Sequence, residues 1–148
     1  MGPWEEGFNS VYEYIMHNPY SLTWMRPDAG LLVVFVSDEE EQSYVEYPVV
    51  SDFLSWYSMQ RGGAVFMASI VNQPAGASMC TITPNPIDVG DRYMEATSML
   101  GGVVIDICDD DWSPGVTDAT HSIEPYESIG LTHAPVVDSI RVFIDGSL

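Results

Sequence analysis

The stretch that decides the fold runs from Leu31 to Glu41 and reads LLVVFVSDEEE. Its apolar part, residues 31–36, is mostly β-branched or aromatic and is typical of a strand inside a parallel sheet that helices cover on both faces. Ligand sites in such sheets lie just beyond the carboxyl ends of the strands, where Asp38 stands. The segment 37–41 therefore has two interpretations. Either Asp38 helps to hold a hard cation, or the segment is a solvated loop that opens the next helix.

Apolar strand patterns alternate with amphipathic helix patterns along the chain. The predicted strands are 31–36, 64–71 and 103–107, and the predicted helices are 3–18, 49–61, 89–100 and one within 114–128. This alternation with short links predicts an α/β fold, a three-layer Rossmann-like parallel sheet with right-handed crossovers. Residues 139–144 alternate like a half-exposed strand, so we expect an α/β domain over 1–128 and a small C-terminal β extension over 129–148.

The charge of the chain restricts its partners. The sequence has no lysine, four arginines and 22 acidic residues, which gives a formal net charge of −18. Such a field repels phosphate backbones and argues against nucleic-acid binding, whereas it favours cations, basic partners or a high-salt environment. No apolar run reaches the roughly 18 residues that a membrane-spanning helix needs, and the N-terminal sequence MGPWEE has no features of a signal peptide.

Catalytic motifs are missing from the sequence. It has no nucleophile elbow, phosphate-binding loop or metalloprotease motif. The histidines fit ordinary surface or turn positions: His17, His121 and His133. The run Glu39 to Glu41 suits a hydrolase poorly, because exposed carboxylates have no obvious means of raising one pKa. We interpret the run Asp109 to Asp111 as a solvated face rather than a set of calcium ligands. The sequence therefore predicts a protein that is not an enzyme.

Several segments carry a resemblance to a known family: EEGF at 5–8, RPDAGLLVVFVSDEEEQS at 26–43, GDRYME at 90–95, GGVVIDIC at 101–108 and LTHAPVVDSIRVFIDG at 131–146. Together they resemble the C-terminal half of bacterial von Willebrand factor A-type (vWA) domains, and the likeness is strongest at 26–43. There the chain is similar to the family's fourth strand, whereas 131–146 resembles a β extension that follows the domain in some members. The resemblance implies that 1–128 is a partial vWA-like domain.

The resemblance assigns a metal role to Asp38. In the family the fourth strand ends in Ser/Thr-Asp, and this Asp belongs to the metal-ion-dependent adhesion site. The main ligands of that site come from an Asp-x-Ser-x-Ser motif, which this sequence does not contain. Because Asp38 alone cannot supply octahedral oxygen coordination, we expect Mg²⁺ or Ca²⁺ only if a partner chain completes the site; otherwise the metal has been lost.

In the family, the Asp-x-Ser-x-Ser motif ends the first strand, which lies beside the fourth. Because this chain lacks that first strand, residues 31–36 have no such neighbour. A bare apolar edge is a liability that natural proteins cover, so we expect a protein partner or self-association at this edge. The function that follows is a non-enzymatic protein-binding or assembly module resembling half of an adhesion domain. The alternative is a structural protein of a virus particle or similar assembly that binds no metal.

The resemblance also brings the loop after the second strand close to the end of the third. It therefore implies a disulfide between Cys80 and Cys108, with two reduced thiols as the alternative. A bond across 28 positions would stabilise the fold by about 3 kcal/mol. From the strongly acidic charge, an extracellular, periplasmic or particle-associated location is favoured over the cytoplasm.

Overall fold

The computed structural model describes residues 5–26, 29–61, 64–80, 88–121 and 123. The helices are α1 (Gly7–His17), α2 (Ser21–Trp24), α3 (Val50–Ser58), α4 (Asp91–Met99) and α5 (Ser113–His121), and the strands are β1 (Leu31–Ser37), β2 (Val65–Val71) and β3 (Val103–Asp106). One turn of 3₁₀ helix, Met59–Arg61, extends α3. Within this part of the chain, no helix is long and apolar enough to cross a membrane.

The three strands form one parallel sheet in the order β1-β2-β3. The β1–β2 register runs from Leu31 opposite Val65 to Ser37 opposite Val71, and β3 joins β2 with Val103 opposite Ala68. Parallel pairing with intervening helices confirms the predicted α/β, Rossmann-like architecture. Among the described residues β1 has β2 as its one neighbour, so it lies at the edge of the sheet.

The element boundaries differ from the prediction in small ways. β1 runs one residue further than predicted, through Ser37, and the short helix α2 was not predicted. α4 begins at Asp91, two residues late, because the Gly90 N–H donates to the Asn72 carbonyl and a Cβ at position 90 would lie 2.8 Å from the Cβ of Val71. The predicted C-terminal extension, 129–148, and its boundary at 128 lie outside the described residues.

The main core lies on the face of the sheet that carries α1, α3 and α4. The Phe8 ring of α1 stacks on Phe53 of α3 at 4.2 Å between centroids, and it meets Phe35 of β1 edge-on at 5.6 Å. Tyr93 of α4 and Met67 of β2 complete the contact, and all five side chains are buried. Burial of such side chains supplies most of the free energy that holds three helices to one sheet face.

The opposite face of the sheet is covered only in part by the described residues. α5 packs on β3, where Gly115 lies so close to Ile105 that a Cβ would come within 2.5 Å of Ile105 Cγ1. At the β1 end of this face, Val34 and Val36 remain 44% and 57% exposed. Among the described residues, the third layer therefore covers the β3 side of this face and leaves the β1 side open.

Candidate functional site at the open edge of the sheet

A groove runs along the open edge of β1, between this strand and α1. It has a volume of about 480 Å³. Its walls come from all of 31–36 and from the α1 residues Gly7, Ser10, Val11, Tyr14 and Ile15, with Glu5, Met25 and Tyr93 at its margins. A groove beside an edge strand offers both unpaired backbone groups and apolar side chains, which is the surface that an added strand requires.

The side chains of β1 alternate between the core face of the sheet and its opposite, open face. Phe35 is 7% exposed and belongs to the core, whereas its neighbours Val34 and Val36 point to the open face. The strand therefore has the two-sided apolar character that the sequence predicted, but only one of its faces is buried by the described residues. The apolar character of Val34 and Val36 is thus not explained by packing within this part of the chain.

Asp38 follows β1 and is exposed. Its backbone carbonyl accepts a hydrogen bond of 2.7 Å from Asn72 Nδ2, which ties the end of β1 to the end of β2. The preceding residue, Ser37, is buried and donates from its hydroxyl to Glu5 Oε2 at 2.6 Å. These contacts fix the backbone around Asp38.

The carboxylate of Asp38 does not form a cation site with other residues of the described part of the chain. There, the one cluster of three His, Cys, Asp or Glu ligand atoms within 4.8 Å of one another is Cys80, Asp106 and Cys108, which excludes Asp38. Mg²⁺ requires near-octahedral oxygen coordination, so one carboxylate does not fit this ion. Coordination at Asp38 needs further ligands.

Side chains of the loop that follows Asp38 cap the N-terminus of α1, although the two segments are distant in sequence. The Glu41 side chain is completely buried and accepts from the Phe8 N–H at 3.2 Å, while the Ser43 hydroxyl accepts from the Asn9 N–H at 3.1 Å. The first N–H groups of a helix have no acceptor within the helix, and each of these two side chains provides an acceptor for one of them. Ser43 also donates from its hydroxyl to Glu41. Glu41 is thus a structural residue.

The Glu40 side chain caps the N-terminus of α4. Its carboxylate accepts from the N–H groups of Asp91 and Arg92, each at 3.1 Å, and from its own neighbour Glu41 at 2.7 Å. Half-burial raises the pKa of Glu40 above the ordinary 4.5, and these backbone donors oppose that rise only in part. The interpretation of 37–41 as a solvated loop is therefore wrong for Glu40 and Glu41.

Arg92 of α4 joins the two capped helices. Its Nε donates to Glu41 Oε2 at 2.9 Å, and its two terminal nitrogens donate to the carbonyls of Tyr47 and Pro48. The guanidinium also lies over the Tyr44 ring, 4.6 Å from its centroid. A planar cation with several fixed donors suits this position better than lysine would.

Cys80 and Cys108 form a disulfide, with their Cα atoms 5.0 Å apart, as the resemblance implied. It ties the segment after β2 to the end of β3. The buried carboxylate of Asp106 lies beside it and accepts from Ser78 Oγ and from the Cys108 N–H, both at 3.1 Å. Asp106 was not singled out from the sequence, where it reads as part of a strand.

The remaining polar candidates have modest roles. Asp109 and Asp110 are exposed, whereas Asp111 accepts from the Ser113 N–H at 2.9 Å at the start of α5. Hydrogen bonds from Ser113 lower the pKa of Asp111. His17 pairs with Glu13 at 2.7 Å on the surface of α1. His121 ends α5 in an exposed position, and His133 lies outside the described residues.

No protein-family model matches this sequence, and comparison with curated proteins and with solved structures likewise gives no match. The resemblance to vWA domains therefore rests on the residues quoted above and stays a prediction.

Proposed function

We propose that this chain is a non-enzymatic protein-binding or assembly module in which a strand of a partner protein adds to the open edge of β1. The observation that carries the proposal is that the described residues leave the edge of β1 unpaired, with exposed Val34 and Val36 beside it. A strand placed next to β1 would pair its backbone and cover these side chains. The groove between β1 and α1 would accept the alternate side chains of the same strand.

The charge of the chain supports a basic partner. Its net charge of −18 favours association with a strand flanked by Lys or Arg and opposes contact between two copies. Arg92 does not offset this field at the surface, because its guanidinium is held by Glu41 and by carbonyls. The same field argues against nucleic acid as a partner.

The acidic loop supports a binding role rather than catalysis. Of the carboxylates considered for a hydrolase, Glu40 and Glu41 serve as helix caps, and Glu41 is also the partner of Arg92. The third, Glu39, is exposed, as is Asp38 beside it at the carboxyl end of β1. In this proposal Mg²⁺ or Ca²⁺ binds at Asp38 only when the partner supplies further ligands. The Cys80–Cys108 disulfide supports a non-reducing compartment, in keeping with an extracellular, periplasmic or particle-associated protein.

The test combines capture with a substitution at the edge. The wild-type chain and a Val36→Lys variant are used to capture partners from the native source, with Val116→Lys on α5 as a control of equal charge and similar exposure. We expect the wild type and Val116→Lys to retain a common protein that Val36→Lys loses. Binding of that purified protein should then slow hydrogen exchange of the β1 amides.

Two results would speak against the proposal. Equal capture by Val36→Lys would move the interface away from β1, and unchanged exchange of the β1 amides would exclude strand addition. Metal analysis of the purified complex distinguishes a metal-assisted adhesion module from a structural protein that binds no metal. Mg²⁺ or Ca²⁺ that Asp38→Asn releases would support a metal-assisted adhesion module, and a metal-free complex would support the structural protein of a virus particle or similar assembly.

A further inference from the structure

Three metal-ligand side chains, two cysteines and one aspartate, meet at the end of β3. The ligand atoms of Cys80, Asp106 and Cys108 lie within 4.8 Å of one another, and Cys80 Sγ is 4.0 Å from Asp106 Oδ1. Asn72 Oδ1 lies 3.6 Å from Cys80 Sγ. The cluster lies at the end of β3, whereas the proposed partner strand adds along β1. Asn72 contacts both places, because its Nδ2 donates to the Asp38 carbonyl.

Asp106 is an unusual member of this cluster because it is 4% exposed and has no cationic partner within the part of the chain that the structure describes. Its hydrogen bonds come from neutral donors, namely Ser78 Oγ and the N–H groups of Met79 and Cys108. Neither of the two ion pairs found among the described residues includes Asp106. A buried carboxylate without a counter-charge favours a cation beside it, and the two sulfur atoms are adjacent to it.

We propose that reduction of the Cys80–Cys108 disulfide converts this cluster into a site for a thiophilic divalent cation such as Zn²⁺, with Cys80, Cys108 and Asp106 as ligands and water in the fourth position. Two thiolates with a carboxylate are a ligand set that Zn²⁺ accepts. The alternative is a purely structural disulfide that crosslinks two segments.

The geometry requires the two sulfurs to move apart from bonding distance, about 2.0 Å, while the carboxylate is already in place. With Zn–S distances of about 2.3 Å, tetrahedral coordination places the two sulfurs about 3.8 Å apart and each sulfur about 3.5 Å from a ligating oxygen. The observed separation of 4.0 Å between Cys80 Sγ and Asp106 Oδ1 is already close to this value. Cys80 and Cys108 both lie in segments outside the helices and strands, and Cys108 is exposed, which gives reductant and metal access.

The chemistry is balanced by an external reductant. A dithiol gives two electrons and two protons to the disulfide, the S–S bond breaks, each sulfur becomes a thiol, and the dithiol is oxidised to its own disulfide. Zn²⁺ then binds with loss of the two thiol protons to solvent. Reoxidation would expel the cation, so the site exists only in the reduced chain.

Co²⁺ alone is the probe, since its tetrahedral thiolate complexes absorb visible and near-ultraviolet light. The full chain is reduced with a phosphine, the reductant is removed under anaerobic conditions, and the reduced chain is titrated with Co²⁺. We expect one Co²⁺ per chain with thiolate-to-cobalt absorption, two protons released per ion, and no such absorption in the oxidised chain. Asp106→Asn should weaken binding by at least about tenfold, since even partners outside the ligand shell contribute that much. Asp38→Asn should leave it unchanged.

Several outcomes would overturn the proposal. The first is Co²⁺ binding by the oxidised chain, or by the Cys80→Ser/Cys108→Ser variant, as strong as that of the reduced wild type. The second is an unchanged Co²⁺ affinity in Asp106→Asn, which would indicate binding by a flexible dithiol alone. The reduced wild-type chain gives a second readout that needs no variant. Co²⁺ should raise its midpoint of thermal unfolding, and the absence of any rise, or loss of the helical circular dichroism that Co²⁺ does not restore, would show that the folded chain has no such site.

Discussion

Glu41 and Arg92 form a buried ion pair, 2.9 Å from Oε2 to Nε, that fastens the loop after β1 to helix α4. The same Glu41 caps α1 through the Phe8 N–H. One carboxylate therefore couples two helices to the strand whose open edge we propose as the binding surface. Removing its partner would leave a charge buried without compensation, which is among the costliest changes in a small domain.

Arg92→Met should lower the free energy of unfolding by about 3–5 kcal/mol, because it leaves Glu41 buried and unpaired. Urea denaturation followed by circular dichroism measures this loss. Glu13→Gln, which breaks the exposed Glu13–His17 pair, is the control and should cost less than about 1 kcal/mol. The double variant Glu41→Gln/Arg92→Met should lose less than the sum of its single changes. Simple additivity would contradict the coupling.

Two adjacent residues of β1 should differ sharply when truncated. Phe35→Ala removes a ring that contacts Phe8 and Tyr93 in the core, so we expect a loss of about 3–5 kcal/mol in unfolding free energy. Val36→Ala removes methyl groups that are mostly in water and should cost less than about 0.5 kcal/mol. A large loss for Val36→Ala in the isolated chain would mean that the open face is covered.

The sequence predicted the strands better than it predicted the loop between β1 and α3. Continuous apolar runs and helical periodicity depend on local pattern, and they located β1, β2 and β3 to within a residue or so. The roles of Glu40 and Glu41 depend on α1 and α4, which are distant in sequence, so local pattern could not show them. One signal was present: Arg92 stands one helical turn before Ala96, on the stripe of α4 that is buried.

The pairing of Cys80 with Cys108 illustrates a different limit. Two cysteines in a sequence give no information about their distance, and only the resemblance implied that their segments meet. Asp106 was missed because an acidic residue at the end of an apolar strand gives no sign of facing a sulfur. Its side chain is positioned by Ser78 and Cys108, which come from two different segments.

Glu40 should make the fold less stable as the pH rises from about 4.5. Burial raises its pKa in the folded chain above the unfolded value of 4.5, so the folded chain binds more protons in the interval between the two values. The contribution of Glu40 is therefore fully present below pH 4.5 and is lost as the pH rises through the folded pKa. Urea denaturation at a series of pH values should show a steeper fall for wild type than for Glu40→Gln just above pH 4.5. Parallel curves would contradict the raised pKa.

Cys80→Ser/Cys108→Ser should lower the free energy of unfolding by about 3–4 kcal/mol, since the bond closes a loop of 28 residues in the unfolded chain. The effect acts mainly on the unfolded state. We therefore expect a larger dependence on urea concentration together with an unchanged circular dichroism spectrum of the folded chain. A spectrum with less helix would show instead that the bond is needed to form the native structure.

Self-association of the isolated chain should increase with salt. At low ionic strength the net charge of −18 keeps copies apart, although the described residues of each copy leave the β1 edge unpaired and Val34 and Val36 exposed. Screening shortens the electrostatic range from about 10 Å at 0.1 M salt to about 3 Å at 1 M, so edge-to-edge pairing becomes possible. Sedimentation velocity in about 0.05 M and about 1 M NaCl should show larger species only at high salt. Val36→Lys should suppress them and Val116→Lys, which makes the same change of charge on α5, should not. A wild-type chain that stays monomeric at 1 M salt would mean that β1 is already covered and that no partner strand is required there.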